Sequence, residues 1–471
     1  MTKLIIAKFG GSAIGVDGSN IPIIMKRIQD FKKKSAKIIV VFSAPLIIDK
    51  QQVKSMTDVI LEISQKLHNN KIAALNKIET YENITKFLKK KYKNHVNKLI
   101  ESYLTKSKLA LKEAKENNNF SDDVRSRSLA YSGEILMSHI MKYIMLSYGI
   151  ESESISFDCW PIITDHNIEN ANFLPLESTK RLDQIECLLQ NNTVICIGGF
   201  IGKTTDGIMT TYERGGSDRT AVDLGILFNK KYEVEISFEK DSSVVSADPK
   251  IVKEKLTEIK KLSYNEARLA GMFGMKILDP IVIKEIIENG VEIPLKITDM
   301  KNPSRTTTIQ KKIRYEHVHP LKIVVGKKNC AILRIESSCV NELLKSLNTN
   351  RRYNEYVVLS PFTKDGIEFT RMLFLDGSYV KRNERYLLSF DPFANIIYNR
   401  GVITLIGDDM WRVQQVVSKI GYNIGKVGLN ILNIDAQEET SRIIVIIKDS
   451  DTNIEKAINA VHSIRSTIKF I

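Results

Sequence analysis

Cysteine and histidine are scarce in this chain, with five of the first and seven of the second among 471 residues. Cys159, Cys187, Cys196, Cys330 and Cys339 are scattered, odd in number and without close metal-ligand spacing. That pattern excludes a disulfide framework, and reduced, mostly buried thiols are expected. No histidine falls within the glycine-rich turns at residues 8–12 and 210–221, so no histidine base is expected there. Long apolar runs are absent too, because Lys or Asp interrupts each one within about ten residues, too few to span a bilayer. The N-terminus reads directly as a strand leading into one of the glycine turns, so a cleavable signal is not expected and a cytoplasmic location is. Arginine clusters and nucleic-acid motifs are also missing, although the net charge is +14. The densest basic run, Lys86-Phe-Leu-Lys89-Lys90-Lys91-Tyr92-Lys93, spaces its apolar residues as the wet face of an amphipathic helix does. Neither a nucleic-acid nor a membrane partner is expected.

What is present is an apolar fraction of 43% beside 26% charged residues, the balance of a globular protein. The length calls for about two to four domains. Two glycine turns stand out. Leu4-Ile-Ile-Ala7 runs into Lys8-Phe-Gly10-Gly11-Ser12, a buried strand delivering a cation and side-chain-free backbone to one point. Arg214-Gly215-Gly216-Ser217-Asp218 opens a helix through Ala221, Leu224 and Leu227, with Ser217 placed to cap it. Arg214 offers a planar fork for a carboxylate or phosphate, and Asp218 can orient a neighbouring cation. Gly198-Gly-Phe-Ile-Gly202-Lys203-Thr204 imitates a P-loop but has three residues between its glycines instead of the four that motif needs. Lys203 is therefore expected to be a turn residue rather than a phosphate ligand.

Taken with Lys8-Phe-Gly10-Gly11, the Arg-Gly-Gly-Ser-Asp turn resembles the amino-acid kinase superfamily and its aspartate kinase branch. The resemblance continues in order through Ser132-Gly133-Glu134, Ile197-Gly-Gly-Phe200-Ile-Gly202 and Ala247-Asp248-Pro249-Lys250. It runs on through Leu262-Ser-Tyr264-Asn-Glu266-Ala267, Phe273-Gly274-Met-Lys276-Ile-Leu-Asp279-Pro280, Ile293-Pro294-Leu-Lys-Ile and Asn302-Pro303.

Residues 1–49 read as a βαβ unit, with the helix around Ile23–Phe31 and the second strand Lys37–Phe42. Residues 57–118 read as helical, and Ser126–Leu146 as one further helix carrying Glu134 near its start. Strands resume at Val194–Ile197, Glu233–Phe238 and Ile293–Ile297, so the fold expected is α/β, a three-layer αβα sandwich. The resemblance implies a largely parallel sheet of about eight strands, with ligands at the carboxyl ends of the strands. After residue 319 short strands and helices alternate in two β-α-β-β-like blocks. By resemblance these are tandem ferredoxin-like (ACT) α+β domains, and Gly428-Leu-Asn430-Ile-Leu is similar to the strand entry of the second. The domains expected are 1–312 (kinase), 313–400 (first ACT-like block) and 401–471 (second ACT domain).

The resemblance implies ATP and L-aspartate as substrates, with Mg2+ carried by the nucleotide and no protein metal site. It places Lys8 beside the transferring phosphoryl group, held by Asp218, and Gly10, Gly11, Gly215 and Gly216 around the phosphates. Arg214 would grip the α-carboxylate of aspartate and Glu134 its ammonium, with Ser12, Thr57 and Ser217 nearby. Lys250 and Lys276 match nucleotide-phosphate contacts. The nucleotide-side segment departs from the family pattern, and either Glu239 or Asp241 stands in for its aspartate. Glu213 replaces a glycine usual before Arg214, which puts a negative charge beside an anion site or turns it outward. The ACT blocks imply a homodimer and a site for lysine or threonine as effector, or a pair serving dimerisation alone. A kinase for another small acid, and a catalytically weak regulatory partner, are the alternative readings.

Overall fold

The computed structural model describes residues 1–35, 37–49, 51–66, 79–120, 122–191, 193–213, 215–275, 277–312, 320–351 and 355–469. The chain divides into two compact units that interleave in sequence. One comprises Met1–Ser243 and Ile281–Lys311, the other Val244–Pro280 and Lys312–Ile471.

The first unit is built on a sheet of β1 (Lys3–Phe9), β2 (Lys37–Phe42), β3 (Ser152–Ser154), β4 (Val194–Gly198), β5 (Glu233–Lys240), β6 (Leu295–Asp299) and β7 (Thr306–Gln310). These seven lie in the order β7-β6-β5-β1-β2-β4-β3. All neighbours are parallel except the β6–β7 pair at one side. Leu4 to Phe9 and Ile38 to Phe42 are buried without a break, as strands covered on both faces must be. Three helices matter for the site: α1 (Ile21–Lys34), α2 (Glu134–Ser147) and α3 (Gly216–Phe228). The α1 helix starts with Pro22 in its first turn, where a missing N–H costs nothing, and ends in three lysines that suit the negative pole.

Two local expectations need correction. The helix read over 126–146 is two helices, Asp122–Ser132 and α2, because Gly133 leaves helical geometry at φ −123°, ψ −99°. Glu134 consequently opens α2 rather than sitting about two turns inside a longer helix. The helical stretch 57–118 comprises Met56–Lys66, Glu79–Ile84 and Lys90–Glu116, with 67–78 outside the described residues. In the last of these Val96, Leu104 and Leu111 are buried while Lys90, Lys91 and Lys93 are exposed, which is the solvated basic face anticipated. Among the described residues no helix is long and apolar enough to cross a membrane. The five cysteines are free, but Cys159 and Cys187 are exposed, so the thiols are not mostly buried. Cys187 sits on the amphipathic helix Asp183–Gln190, whose Ile185 and Leu189 take the core side.

The second unit carries a mainly antiparallel sheet of β8 (Ile323–Glu336), β9 (Tyr356–Val358), β10 (Phe362–Lys364), β11 (Ile367–Phe374), β12 (Asn395–Ile406), β13 (Ile431–Asp435) and β14 (Arg442–Lys448). The order is β9-β11-β8-β12-β14-β13, with β10 pairing β11. The strands expected at 321–325 and 331–335 are one long strand, β8, whose pairing to β12 slips in register between Lys327 and Ile332. Around that slip the unit forms two ferredoxin-like modules with separate cores. One packs Leu333, Ile335, Leu343, Met372 and Phe374. The other packs Val324, Ile403, Ile420, Val445 and Ile458, and takes in Ala247 and Val252.

Candidate active site

Lys8, the penultimate residue of β1, is held inside the first unit with Nζ 2.7 Å from Asp218 Oδ1. Asp218 lies in the first turn of α3, where the positive pole of the helix favours a carboxylate. Both side chains are about nine-tenths buried, so their attraction is little screened by water. Lys240, the last residue of β5, brings a second ammonium to within 3.9 Å of Asp218 Oδ2. Burial pulls its pKa down, the Asp218 charge opposes that, and the Lys8 charge adds to it. Lys240 was not among the residues expected from sequence. Its signal is the strand register, since Phe9 pairs with Glu239 and places the next residue at the end of β1.

Glu134 completes the charged set. It is fully enclosed at the start of α2, and burial pushes its carboxyl up to about 7 against the pull of backbone N–H groups and of Lys8. Its Oε2 is buried with no hydrogen-bond partner among the described residues. Such an oxygen is costly alone and suited to a cationic ligand group. The Gly198-Gly199 pair at the end of β4 allows the convergence. A Cβ on Gly198 would stand 2.8 Å from the Glu134 backbone, and one on Gly199 would stand 2.6 Å from Ser217 Cβ. Neither helix start could approach a larger residue so closely.

The 212–218 segment differs from expectation in its cap. The N-cap of α3 is Gly215, with φ 90° and ψ −6° and no side-chain cap, and Ser217 lies inside the helix. Gly215 takes the left-handed corner, which a glycine adopts without strain, and Gly216 N donates to Glu213 O at 3.0 Å across it. Asp218 N in turn donates to Gly215 O at 3.0 Å. Glu213 points outward, its carboxylate accepting from Asn170 Nδ2 at 2.8 Å. Arg214 itself lies outside the described residues, as does Lys276.

Other expected residues are distributed as follows. Gly10 precedes the short helix Gly11–Ile14, and a Cβ there would come within 3.1 Å of Lys8 Nζ. Bare backbone beside that ammonium is the donor set a phosphate oxygen needs. Ser12 is exposed on the same short helix. Thr57 is half-buried in the first turn of Met56–Lys66. Glu239 is turned inward, gripped by Arg27 Nε and Nη2 at 2.8 and 3.0 Å and by Ser237 Oγ at 2.7 Å. Asp241, just beyond the strand, is exposed. Lys250 belongs to the second unit, exposed in a turn where its amide donates to Asp248 Oδ1 at 2.8 Å. Lys203, expected in a turn, instead ends the short strand Ile201–Lys203 and donates to the Phe157 and Asp158 carbonyls at 3.2 and 3.0 Å.

Residues remote in sequence thus present one enclosed carboxylate, one lysine locked on an aspartate and bare backbone N–H groups beside it. That is the equipment for neutralising a phosphoryl group and holding a cationic group nearby. A family model for the amino acid kinase family matches residues 3–299. Aspartokinase 1, chloroplastic, of Arabidopsis thaliana is 26% identical over 358 residues, covering 72% of this chain and 60% of that protein. The aspartokinase of Helicobacter pylori is 27% identical over 369 residues, covering 74% of this chain and 85% of that one. Among solved structures, E. coli aspartokinase III in complex with aspartate and ADP superposes with a TM-score of 0.77 at 19% identity, over 98% of this chain and 99% of that chain. The aspartate kinase of Clostridium acetobutylicum gives 0.67 at 21% identity over the same shares. These two likenesses extend the common fold through both units, and the matched family model shows that the chain belongs to the amino acid kinase family.

Proposed function

We propose that this protein is an ATP-dependent aspartate kinase, converting L-aspartate to 4-phospho-L-aspartate. The observation that carries the reading is the buried Lys8–Asp218 pair at 2.7 Å, with the enclosed Glu134 under the Lys8 charge. Similarity to aspartokinases over about three quarters of the chain supports it. In the proposed reaction an oxygen of the β-carboxylate attacks the γ-phosphorus of ATP, the bond to the β–γ bridging oxygen breaks, and ADP leaves. A carboxylate is already ionised, so no general base is needed. Lys8 stabilises the charge that spreads over the transferring group, Asp218 fixes its rotamer, and N–H groups of Gly10, Gly11 and Gly215 hold phosphate oxygens, with side-chain-free Gly216 leaving room beside them. Glu134 takes the substrate ammonium and Arg214 its α-carboxylate, with Ser12, Ser217 and Thr57 lining the acid. Among the described residues no group of three His, Cys, Asp or Glu could hold a metal. Magnesium would be carried by the nucleotide phosphates, and it would supply charge neutralisation when bound.

The reaction would be the first step toward lysine, threonine and methionine, carried out in the cytoplasm by a homodimer joined through the C-terminal modules. Residues 1–312 would carry the chemistry, 313–400 and 401–471 the regulation. A cavity of about 520 Å³ in the second module, lined by Trp411, Gln415, Ser418, Glu438 and Arg442 among others, favours an amino-acid effector there.

The test is acyl-phosphate trapping with hydroxylamine, using magnesium-ATP and aspartate, glutamate, N-acetylglutamate or no acceptor. Aspartate-dependent hydroxamate is the expected result, and inhibition by lysine or threonine is then titrated. Hydroxamate with another acid alone would reassign the substrate. No turnover with any acid would favour a catalytically weak regulatory partner.

A further inference from the structure

Beside the start of α3 lies a polar cluster that the proposed chemistry does not use. Tyr212, the residue before Glu213, is fully buried, and its hydroxyl donates to Asp223 Oδ2. Asp223 is itself fully buried on α3, one turn after Arg219. The Arg219 guanidinium stacks 4.1 Å from the centre of the Tyr212 ring. Its Nε and Nη2 both donate to Glu285 Oε1, at 2.9 and 2.5 Å, and Nη1 reaches Ala171 O at 3.4 Å. All four residues belong to the first unit.

Such a cluster is an expensive way to fill a core. A guanidinium paired with Glu285 and a second enclosed carboxyl on Asp223 are buried together, where apolar residues of similar volume are often as stable or more so. Burial and the nearby Glu285 push the Asp223 carboxyl well above the usual carboxylate range. What polar contacts add is direction, and here they fix one aromatic ring on three sides. The hydroxyl is tied to Asp223, one face is covered by Arg219, and the base of the side chain abuts Gly216. A Cβ on Gly216 would stand only 2.4 Å from Tyr212 Cβ. The backbone carries the constraint onward. Tyr212 N donates to Phe200 O, Gly216 N to Glu213 O and Asp218 N to Gly215 O, each at 3.0 Å. Thr220 Oγ1 accepts from Phe200 N at 2.9 Å, closing the ring of contacts onto α3.

We infer that Tyr212, Asp223, Arg219 and Glu285 form a positioning device that fixes the start of α3, Gly216–Asp218, and through it Ser217, which on the proposed reading lines the acid substrate. Tyr212 and Asp223 are positioning residues, since they act through the helix start. The inference rests on the aspartate-kinase reading for the identity of that acid, but the device itself is testable without turnover.

The experiment compares the full-length wild type with Tyr212→Phe and with the double variant Tyr212→Phe/Asp223→Leu. Thermal stability, the KM for aspartate, kcat, and hydrogen exchange at the amides of 213–218 are measured for each. Tyr212→Phe orphans a buried carboxyl and should lower the melting temperature. It should also speed exchange at 213–218 and raise the KM for aspartate, each by roughly tenfold, with a smaller change in kcat. The double variant removes both polar partners, so the melting temperature should recover while KM and exchange stay raised. Recovery of all three together would mean the cluster only fills space, and would overturn the inference. Unchanged exchange in Tyr212→Phe, or faster exchange with an unchanged KM, would overturn it as well. If the wild type does not phosphorylate aspartate, the functional reading fails and exchange at 213–218 alone decides the positioning role.

Discussion

At the scale of single residues, Lys8 and Glu134 make opposite demands on the same small volume. Lys8 is neutralised by Asp218 in the protein alone, yet on the proposed chemistry its charge matters most as the phosphoryl group passes. Lys8→Ala should therefore lower kcat by roughly 100- to 1,000-fold while changing the aspartate KM little, as read from steady-state kinetics. A loss confined to nucleotide affinity would contradict this. Glu134 starts neutral or half-ionised near pH 7 because its enclosure lifts its pKa to about 7 from 4.5. Only the ionised form pairs with an ammonium group. The KM for aspartate should thus rise as pH falls from 8 to 6, and Glu134→Gln should raise KM and flatten that dependence. Linkage gives a second sign. A carboxyl whose folded pKa lies above its unfolded one favours the fold below about pH 4.5, and that contribution is lost as pH rises through about 7. Glu134→Gln should remove this loss, about 1–3 kcal/mol between pH 5 and 8, seen as a flatter plot of melting temperature against pH.

At the scale of elements, the site depends on strand ends and helix starts meeting without side chains between them. Gly199→Ala would drive a Cβ to 2.6 Å from Ser217 Cβ, and should cost about 1–3 kcal/mol in denaturant unfolding. The Arg27–Glu239 pair fastens α1 to β5 by two hydrogen bonds in a fully enclosed place. Arg27→Leu should cost about 3–5 kcal/mol, and Arg27→Leu/Glu239→Leu should recover most of it, because a lone enclosed charge is worse than none. This pair also marks where sequence reading stops. The Lys8–Asp218 pairing was legible because each residue sits in a glycine turn whose chemistry is local, whereas Glu134 was named only through the family resemblance of Ser132-Gly133-Glu134. The role of Glu239 was not legible, because its partner lies 212 residues earlier and only strand register decides which face it takes. Ser217 was misread as the cap for a related reason. A left-handed Gly215 supplies the corner, and a Gly-Gly-Ser string alone does not say which residue turns. The Tyr212–Asp223 bond has no sequence signature, since tyrosine and aspartate eleven residues apart signify nothing until α3 begins between them.

At the scale of the molecule, the two units trade segments of chain. Residues 244–280 belong with the C-terminal unit, where Ala247 and Val252 are buried with Leu321, Ile403 and Val445. A fragment ending at residue 312 would keep that segment and lose its core. It should expose apolar surface, melt broadly and scatter light at concentrations where the full chain stays clear. A monomeric, sharply melting fragment would contradict that account. The C-terminal unit shows a different kind of union. Two strands, β8 and β12, are hydrogen-bonded to each other from Ile323–Ile406 at one end to Arg334–Asn395 at the other, through both modules. Modules joined by a linker fail one at a time when pulled, like beads on a string. Modules that share a rail cannot, since peeling the first begins to unzip the second. Stretched between its ends in an optical trap, this unit should give way in one rip rather than two.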